Sequence, residues 1–160
     1  MQFQKITPFL WFDNQAEEAA NFYVSVFPNS KIVKVVPNSA GGPGPAGSVL
    51  TVAFELDGLS FVGLNGGPHF KFTEAVSFVV NCQSQEEVDR YWEKLTAGGG
   101  TPVQCGWLKD KFGLSWQVVP TALPELLSNP DPAKAGRAMQ AMMTMTKIDI
   151  AALKKAAEAG

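Results

Sequence analysis

Apolar positions in the first part of the chain change from a continuous run to a helical period. Residues 6–12 are mostly apolar and aromatic, and the segment Asn14-Gln15-Ala16-Glu17 follows them with the spacing of a capping box. Apolar residues then recur every three or four positions up to Phe27, and Pro28 ends the pattern. We therefore predict a strand followed by a helix whose first amides are capped by Asn14 and Glu17.

Three short apolar segments follow this helix, and each has the length of a strand. They lie at residues 32–36, 48–56 and 59–65. The dipeptide Asp57-Gly58 joins the last two segments, and it suits a type I′ turn, which requires positive φ at both central positions. The order predicted for the first half is therefore βαβββ.

The second half repeats this order of elements. A predicted strand at residues 76–81 is followed by a second capping box, Ser84-Gln85-Glu86-Glu87, and by a helix that Gly98 stops. Glu86-Glu87 stands about 69 residues after Glu17-Glu18, which suggests an internal duplication. Two further strands are predicted, at 101–108 and 114–119.

The chain beyond Pro120 becomes helical and has no counterpart in the first half. Three helices are predicted there, and Asp131-Pro132 supplies the cap and the first residue of the middle one. The fold class expected is α+β, as a single domain of two βαβββ modules with C-terminal helices. Its expected parts are module one at 4–66, module two at 73–120 and a C-terminal helical extension at 121–160.

Composition and charge limit the classes of partner. Hydrophobic residues make up 46% and charged residues 18%, as in globular proteins, and the formal charge of −2 provides no basic field for nucleic acid. No run reaches the ~18 apolar residues of a membrane span, and residues 1–5 lack the apolar core of a signal peptide. We expect a cytoplasmic protein whose two cysteines, Cys82 and Cys105, stay reduced.

A glycine motif, Gly42-Pro43-Gly44-Pro45-Ala46-Gly47, matches the pattern of a nucleotide-binding loop. A phosphate cradle requires backbone amides that lead into a helix, whereas here two prolines remove donors and a strand follows. We therefore expect a loop between strands, mobile at the rim of a cleft, and no cofactor.

Aromatic and polar side chains predicted on neighbouring strands suit a small-molecule cavity. Strand alternation is expected to place Cys105 and Trp107 on one face, and Ser115 and Gln117 on one face of the paired strand. Ordinary core packing explains a tryptophan on such a strand nearly as well. The residues predicted to bind a ligand are Trp11, Trp107, Trp116 and Gln117.

Three residues are candidates for acid, base or nucleophile, namely Asp110, His69 and Cys105. His69 is the single histidine and suits either a linker between modules or a proton carrier at a pocket mouth. No activating base is recognisable beside Cys105, which fits an inert thiol better than a nucleophile. Whether the protein is an enzyme stays open at this point.

Several segments taken together resemble the PhnB-like proteins of the vicinal oxygen chelate superfamily, which are also labelled 3-demethylubiquinone 3-methyltransferase-like. The resemblance covers nearly the whole chain and rests on residues 6–12, 16–19, 22–23, 65–68, 110–120 and 147–150. It implies paired βαβββ modules, the glyoxalase/bleomycin resistance fold, whose sheets curl around a cavity, often in a homodimer. The resemblance does not imply a binding site for a methyl-donor nucleotide.

The resemblance also implies where a metal would be bound in relatives such as glyoxalase I. Those ligands, His or Glu, sit on the first and last strand of each module and fall here, within about one position, at Thr7, Gly63, Ala75 and Gln117. None of these residues offers the imidazole or carboxylate that a divalent ion requires. The expected function is a metal-free small-molecule binding protein, and the alternative is a metal-independent enzyme acting on a small organic substrate.

Overall fold

A computed structural model describes residues 3–159 and divides them into two compact units, one ending at Phe72 and the other beginning at Thr73. The first unit contains, in chain order, β1 (Phe9–Phe12), α1 (Ala16–Val26), β2 (Lys31–Pro37), β3 (Val49–Leu56) and β4 (Leu59–Asn65). The second contains β5 (Ser77–Cys82), α2 (Gln85–Thr96), β6 (Thr101–Pro102), β7 (Trp107–Lys109), β8 (Ser115–Pro120), α3 (Ala122–Leu127), α4 (Pro132–Met143) and α5 (Ile150–Glu158). The predicted α+β class with two βαβββ modules and C-terminal helices is confirmed.

The two sheets share one topology. Their strand orders are β1-β4-β3-β2 and β5-β8-β7-β6. In each sheet the first and last strands of the module pair in parallel, and the other neighbours pair in antiparallel orientation. The internal repeat seen in the sequence therefore has a counterpart in the pairing of the strands.

In the first unit, α1 covers one face of the sheet. Alternate residues of β3 and β4, including Val52, Phe54 and Phe61, are buried, as strand alternation requires for a half-covered sheet. Tyr23 of α1 stacks on Phe54, with ring centroids 6.2 Å apart. The opposite face, which we call the open face of unit one, carries partly exposed side chains.

The second unit repeats this division between two faces. Val80, Trp116 and Val118 are buried with the apolar stripe of α2, whereas Ser77 and Gln117 lie on the alternate positions of β5 and β8. We call the face that bears Ser77 and Gln117 the open face of unit two.

The cap of α1 differs from the prediction. Asn14 makes no cap, and the N-cap residue Gln15 offers no side-chain hydrogen bond either. The Ala16 amide instead donates to Oδ1 of Asn65 at 2.8 Å, so the last strand of the module caps the helix. The second capping box behaves as predicted, because the Glu87 amide donates to Oγ of Ser84 at 3.2 Å.

The strand predicted at residues 101–108 is interrupted. Cys105 and Gly106 both have positive φ, 60° and 82°. Their amides donate to the carbonyls of Met145 and Thr146, each at 2.8 Å. This bend ends the alternation, so the argument that placed Cys105 on the same strand face as Trp107 is wrong.

The C-terminal helices belong to the second unit and form a core of their own. Leu123, Ile148 and Leu153 are buried together there. The Gln85 side chain of α2 donates to the Ile148 carbonyl at 3.0 Å and accepts from the Ile150 amide at 2.8 Å. Within residues 3–159, no helix has the length and apolarity needed to cross a bilayer.

Candidate functional site

A cleft of about 860 Å³ lies on the open face of unit one, within the size range of small-molecule sites. Side chains from three strands line it, among them Lys31, Val33, Ala53, Glu55, Ser60 and Val62. The wall is mainly apolar, with one ion pair in which the Lys31 ammonium lies 3.8 Å from a Glu55 carboxylate oxygen. An apolar surface with few polar groups suits an uncharged organic molecule.

Gln4 fixes one wall of this cleft. Its amide nitrogen donates to the Ser60 carbonyl at 3.0 Å, and its amide oxygen accepts from the Ser60 backbone amide at 3.1 Å. The side chain thus pairs with the edge of β4 as a strand backbone would. Sequence reasoning missed this residue, because a glutamine ahead of a strand carries no signal of a long-range contact.

Trp11 lies on β1, in register with Leu64 of β4 and on the open face of unit one. Its indole nitrogen donates to the Gly67 carbonyl at 2.9 Å, and its ring meets Phe70 edge to face at 4.9 Å between centroids. The ring is therefore held in place on the open face of unit one. Trp11 is not among the residues that line the cleft, and its role in ligand binding stays a prediction.

The open face of unit two carries a polar group between two apolar ones. The register aligns Val79, Gln117 and Trp107 in one row across the sheet, and Ser77, Ser115 and Lys109 in the next. The Gln117 amide donates to Oγ of Ser77 at 2.9 Å. Two of the predicted ligand residues, Trp107 and Gln117, are thus cross-strand neighbours.

Lys109 closes one side of this polar group through an ion pair with Glu74. The hydrogen bond and the positive charge of Lys109 lower the pKa of the Glu74 carboxyl below its usual range. Both side chains are well exposed, so the pair is held loosely at the surface. Glu74 gave no signal in the sequence, because it lies in the irregular segment that precedes β5.

Trp116 lies on the other face of the second sheet, only 4% exposed. Its indole nitrogen donates to Oδ2 of Asp110 at 2.8 Å, and its ring lies 5.7 Å from that of Phe78. Adjacent strand residues point to opposite faces, so Trp116 and Gln117 cannot line the same face. We therefore remove Trp116 from the ligand-binding candidates. Strand alternation in the sequence was sufficient to show that Trp116 and Gln117 could not both face the same ligand.

Asp110 anchors the turn between β7 and β8. Its Oδ1 accepts from the amides of Phe112 and Leu114, at 2.9 and 3.1 Å, while Oδ2 accepts from Trp116. The side chain is 3% exposed. A buried carboxylate with three donors at fixed positions is suited to holding a turn rather than to exchanging protons with a substrate.

Cys105 and His69, the other two catalytic candidates, occupy different settings. Cys105 precedes β7 and Asp110 follows it, so the strand separates these two residues, and no hydrogen bond described for Cys105 involves its thiol. His69 is exposed on the segment 66–72 that follows β4. The three catalytic candidates therefore lie on separate segments, Cys105 before β7, Asp110 after it and His69 after β4.

The glycine motif lies in the loop between β2 and β3, as predicted. Asn38 organises this loop through its backbone. Its backbone N–H donates to the Ser48 carbonyl at 2.7 Å, and its backbone carbonyl accepts from the Gly47 N–H at 2.9 Å. The loop leads into a strand, so its amides do not converge as they do at a helix N-terminus.

The positions where relatives bind a metal offer a poor donor set here. Thr7 and Ala75 are exposed and lie outside the strands, and Gly63 faces the helix, since a Cβ there would stand 3.3 Å from Cβ of Ala16. Gln117 is bonded to Ser77. Among residues 3–159, no group of three or more His, Cys, Asp or Glu side chains could hold a metal ion. These residues do not fit a divalent cation.

Comparison with known proteins identifies the family. The model of the 3-demethylubiquinone-9 3-methyltransferase family matches residues 4–119. The chain belongs to this family. Helices α3 to α5 lie beyond the residues that the family model matches.

Solved structures of relatives agree with this assignment. The PhnB protein of Bacillus cereus is 38% identical, with a TM-score of 0.67, over 74% of this chain and 100% of its own. A Pseudomonas aeruginosa protein is 19% identical over 74% of this chain and 98% of its own, with a TM-score of 0.60. The fosfomycin resistance protein FosX of Listeria monocytogenes, complexed with Mn(II) and sulfate, is 18% identical over 79% and 97%, with a TM-score of 0.54. The last two show the fold alone, and no curated protein matches the chain.

Proposed function

We propose that this member of the family binds a small, mainly apolar organic molecule without a metal ion or another cofactor. The observation that carries the proposal is the division of each sheet into a helix-covered face and an open face. On the open face of unit one, this division leaves the cleft of about 860 Å³, whose wall is fixed by Gln4. Trp11, Trp107 and Gln117 supply aromatic surface and polar groups on the open faces.

The chemistry of the donors supports the metal-free part of the proposal. A divalent ion binds to imidazole, thiolate or carboxylate groups from several directions. The four expected positions here provide a hydroxyl, a glycine, a methyl group and an amide. Elemental analysis of protein purified without chelators tests this point, and a stoichiometric transition metal would contradict it.

The family name includes a methyltransferase activity, which we do not assign to this chain. A methyl donor that carries adenosine would require a site for its ribose, such as a glycine loop that leads into a helix, and the glycine loop here leads into a strand instead. No observation favours the alternative of a metal-independent enzyme either, because the buried carboxylate of Asp110 anchors a turn.

Thermal-shift measurements test the binding proposal. We expect 2-naphthol and related small aromatic compounds to raise the melting temperature, since a ligand at a hundred times its Kd stabilises by about 2.7 kcal/mol, or roughly 5–11 °C. Ala53→Phe, which fills the cleft, should remove the shift, while Ala151→Phe on the exposed side of α5 should keep it. A shift that survives Ala53→Phe unchanged would exclude the cleft as the binding site.

We also propose that the protein forms a homodimer in the cytoplasm. Large apolar side chains are exposed in unit one, including Phe3 at 86% and Ile6 at 82%, and a second copy would cover such surface. Light scattering at micromolar concentration tests the dimer, and a monomer there would refute it. The cytoplasmic assignment rests on two unpaired cysteines and is tested by cell fractionation.

A further inference from the structure

The Ser115 hydroxyl is buried without a hydrogen-bond partner. The residue is 1% exposed, and within residues 3–159 its Oγ has neither a donor nor an acceptor in reach. A buried hydroxyl without a hydrogen-bond partner is unfavourable, because it has lost its hydrogen bonds to water and gained none in the protein. Alanine at this position would leave no buried hydroxyl unpaired and would make the folded state more stable. The hydroxyl therefore suggests a role in function and not in folding.

The register shows where this hydroxyl points. Ser115 is opposite Ser77 on one side and Lys109 on the other, and all three project onto the open face of unit two. Gln117 is two residues further along β8, so it shares this face. The hydroxyl is therefore at the centre of the polar group, next to the indole of Trp107 in the adjoining row.

The polar group on the open face of unit two has two hydroxyl donors that are available to a ligand. The Ser77 oxygen already accepts from the Gln117 amide, which leaves its O–H available as a donor. The Ser115 O–H is a second available donor. Two neighbouring O–H donors match the two lone pairs of a carbonyl oxygen.

The charge at this position is balanced. The Lys109 ammonium is paired with the Glu74 carboxylate, so the group as a whole provides no net positive charge to hold an anion. An uncharged carbonyl compound is favoured over a carboxylate or a phosphate for this reason. Trp107 is half-buried beside the polar group and offers a flat apolar surface for the rest of the molecule.

We propose that the open face of unit two recognises an uncharged aromatic or otherwise flat carbonyl compound. The hydroxyls of Ser115 and Ser77 donate to its carbonyl oxygen, and Trp107 contacts its apolar part. The inference rests on the proposed function and specifies the chemical class of ligand. Ser115 is only 1% exposed, so binding requires side chains around it to shift; the neighbouring Lys109 side chain is itself 40% exposed.

The test is an NMR titration of the whole protein with three compounds of similar shape. Acetophenone carries the uncharged carbonyl, ethylbenzene lacks it, and benzoate carries a charge instead. We expect acetophenone to produce saturable shifts at Ser77, Ser115, Gln117 and the Trp107 indole. Ethylbenzene and benzoate should bind about three- to tenfold more weakly, as the loss of a hydrogen bond implies.

Ser115→Ala is the decisive variant. It should weaken acetophenone binding about three- to tenfold, leave ethylbenzene binding unchanged, and keep or raise the melting temperature, because it removes an unpaired buried hydroxyl. Ser77→Ala should weaken acetophenone binding in the same sense. Ser128→Ala, at an exposed hydroxyl that follows α3, serves as the matched control and should alter nothing.

Several outcomes would overturn the inference. Shifts confined to the cleft of unit one would refute this ligand site and leave the proposed function standing. Equal affinity of acetophenone for Ser115→Ala and the parent protein would refute the role of the hydroxyl. Tighter binding of benzoate than of acetophenone would refute the uncharged ligand class.

Discussion

Replacing Asp110 with asparagine tests whether this carboxylate holds the β7–β8 turn. Asparagine keeps the shape of the side chain but substitutes an NH₂ group for one acceptor oxygen. With Oδ1 retained opposite the two backbone amides, the new NH₂ group faces the indole N–H of Trp116, which stood 2.8 Å from Oδ2. The indole N–H of Trp116 then loses the carboxylate oxygen to which it donates.

The expected loss follows from these contacts. One unsatisfied buried donor costs about 1–3 kcal/mol, and hydrogen bonds to a charged acceptor are worth more than those to a neutral one. We expect Asp110→Asn to lower the free energy of unfolding by about 2–3 kcal/mol. For a chain of 160 residues this corresponds to a fall in melting temperature of roughly 4–12 °C.

Urea denaturation and thermal melting measure this loss, with Asp131→Asn as the control. Asp131 caps α4 through a 3.0 Å bond from the Ala133 amide, and asparagine caps equally well, so the change there should stay below about 0.5 kcal/mol. Trp116→Phe removes the indole donor, and in that background Asp110→Asn should cost about 1 kcal/mol less. Full stability of Asp110→Asn, or additive losses in the double variant, would refute the anchoring role.

Three further predictions concern stability and thiol reactivity. Asn65→Ala should lower the free energy of unfolding by about 1–2 kcal/mol in urea denaturation, because it removes the cap of α1. Asn14→Ala should be nearly neutral, and a larger loss for Asn14→Ala than for Asn65→Ala would show that Asn14 caps the helix after all. Gly66→Ala should lower the melting temperature, because its Cβ would collide with the indole of the tryptophan in β1, and Gly136→Ala in open space on α4 should raise it; equal shifts would disprove the collision. Burial raises the pKa of the Cys82 thiol from its ordinary value of 9.0 to about 11, so in the native protein Cys82 should resist alkylation by iodoacetamide at pH 8, as peptide mass spectrometry would show. The unfolded chain releases the Cys82 proton at a lower pH than the native protein does. The protonated thiol therefore stabilises the native state fully below pH 9, and this contribution is lost as the pH rises towards 11. Rapid alkylation of native Cys82 at pH 8 would contradict the raised pKa.

The sequence alone determined the order of elements in the first module and, apart from the break in the strand predicted at 101–108, in the second. Strand alternation, helical periodicity and turn chemistry are local properties, and residues such as Asp57 and Gly58, with φ of 48° and 82°, carry them within a few positions. Strand alternation also places Trp116 and Gln117 on opposite faces of the sheet, because neighbouring residues on a strand point to opposite faces. The lack of suitable metal ligands at the positions implied by the family could be seen in the residue types alone.

Only the tertiary structure decided the contacts between distant segments. Asn65 caps a helix 49 residues earlier, and Gln4 pairs with Ser60 across 56 positions. The bend at Cys105 depends on carbonyl groups some 40 residues later in the chain, at Met145 and the following residue. The orphaned hydroxyl of Ser115 likewise exists only once the strands pair, because register, and not sequence spacing, fixes which side chains become neighbours.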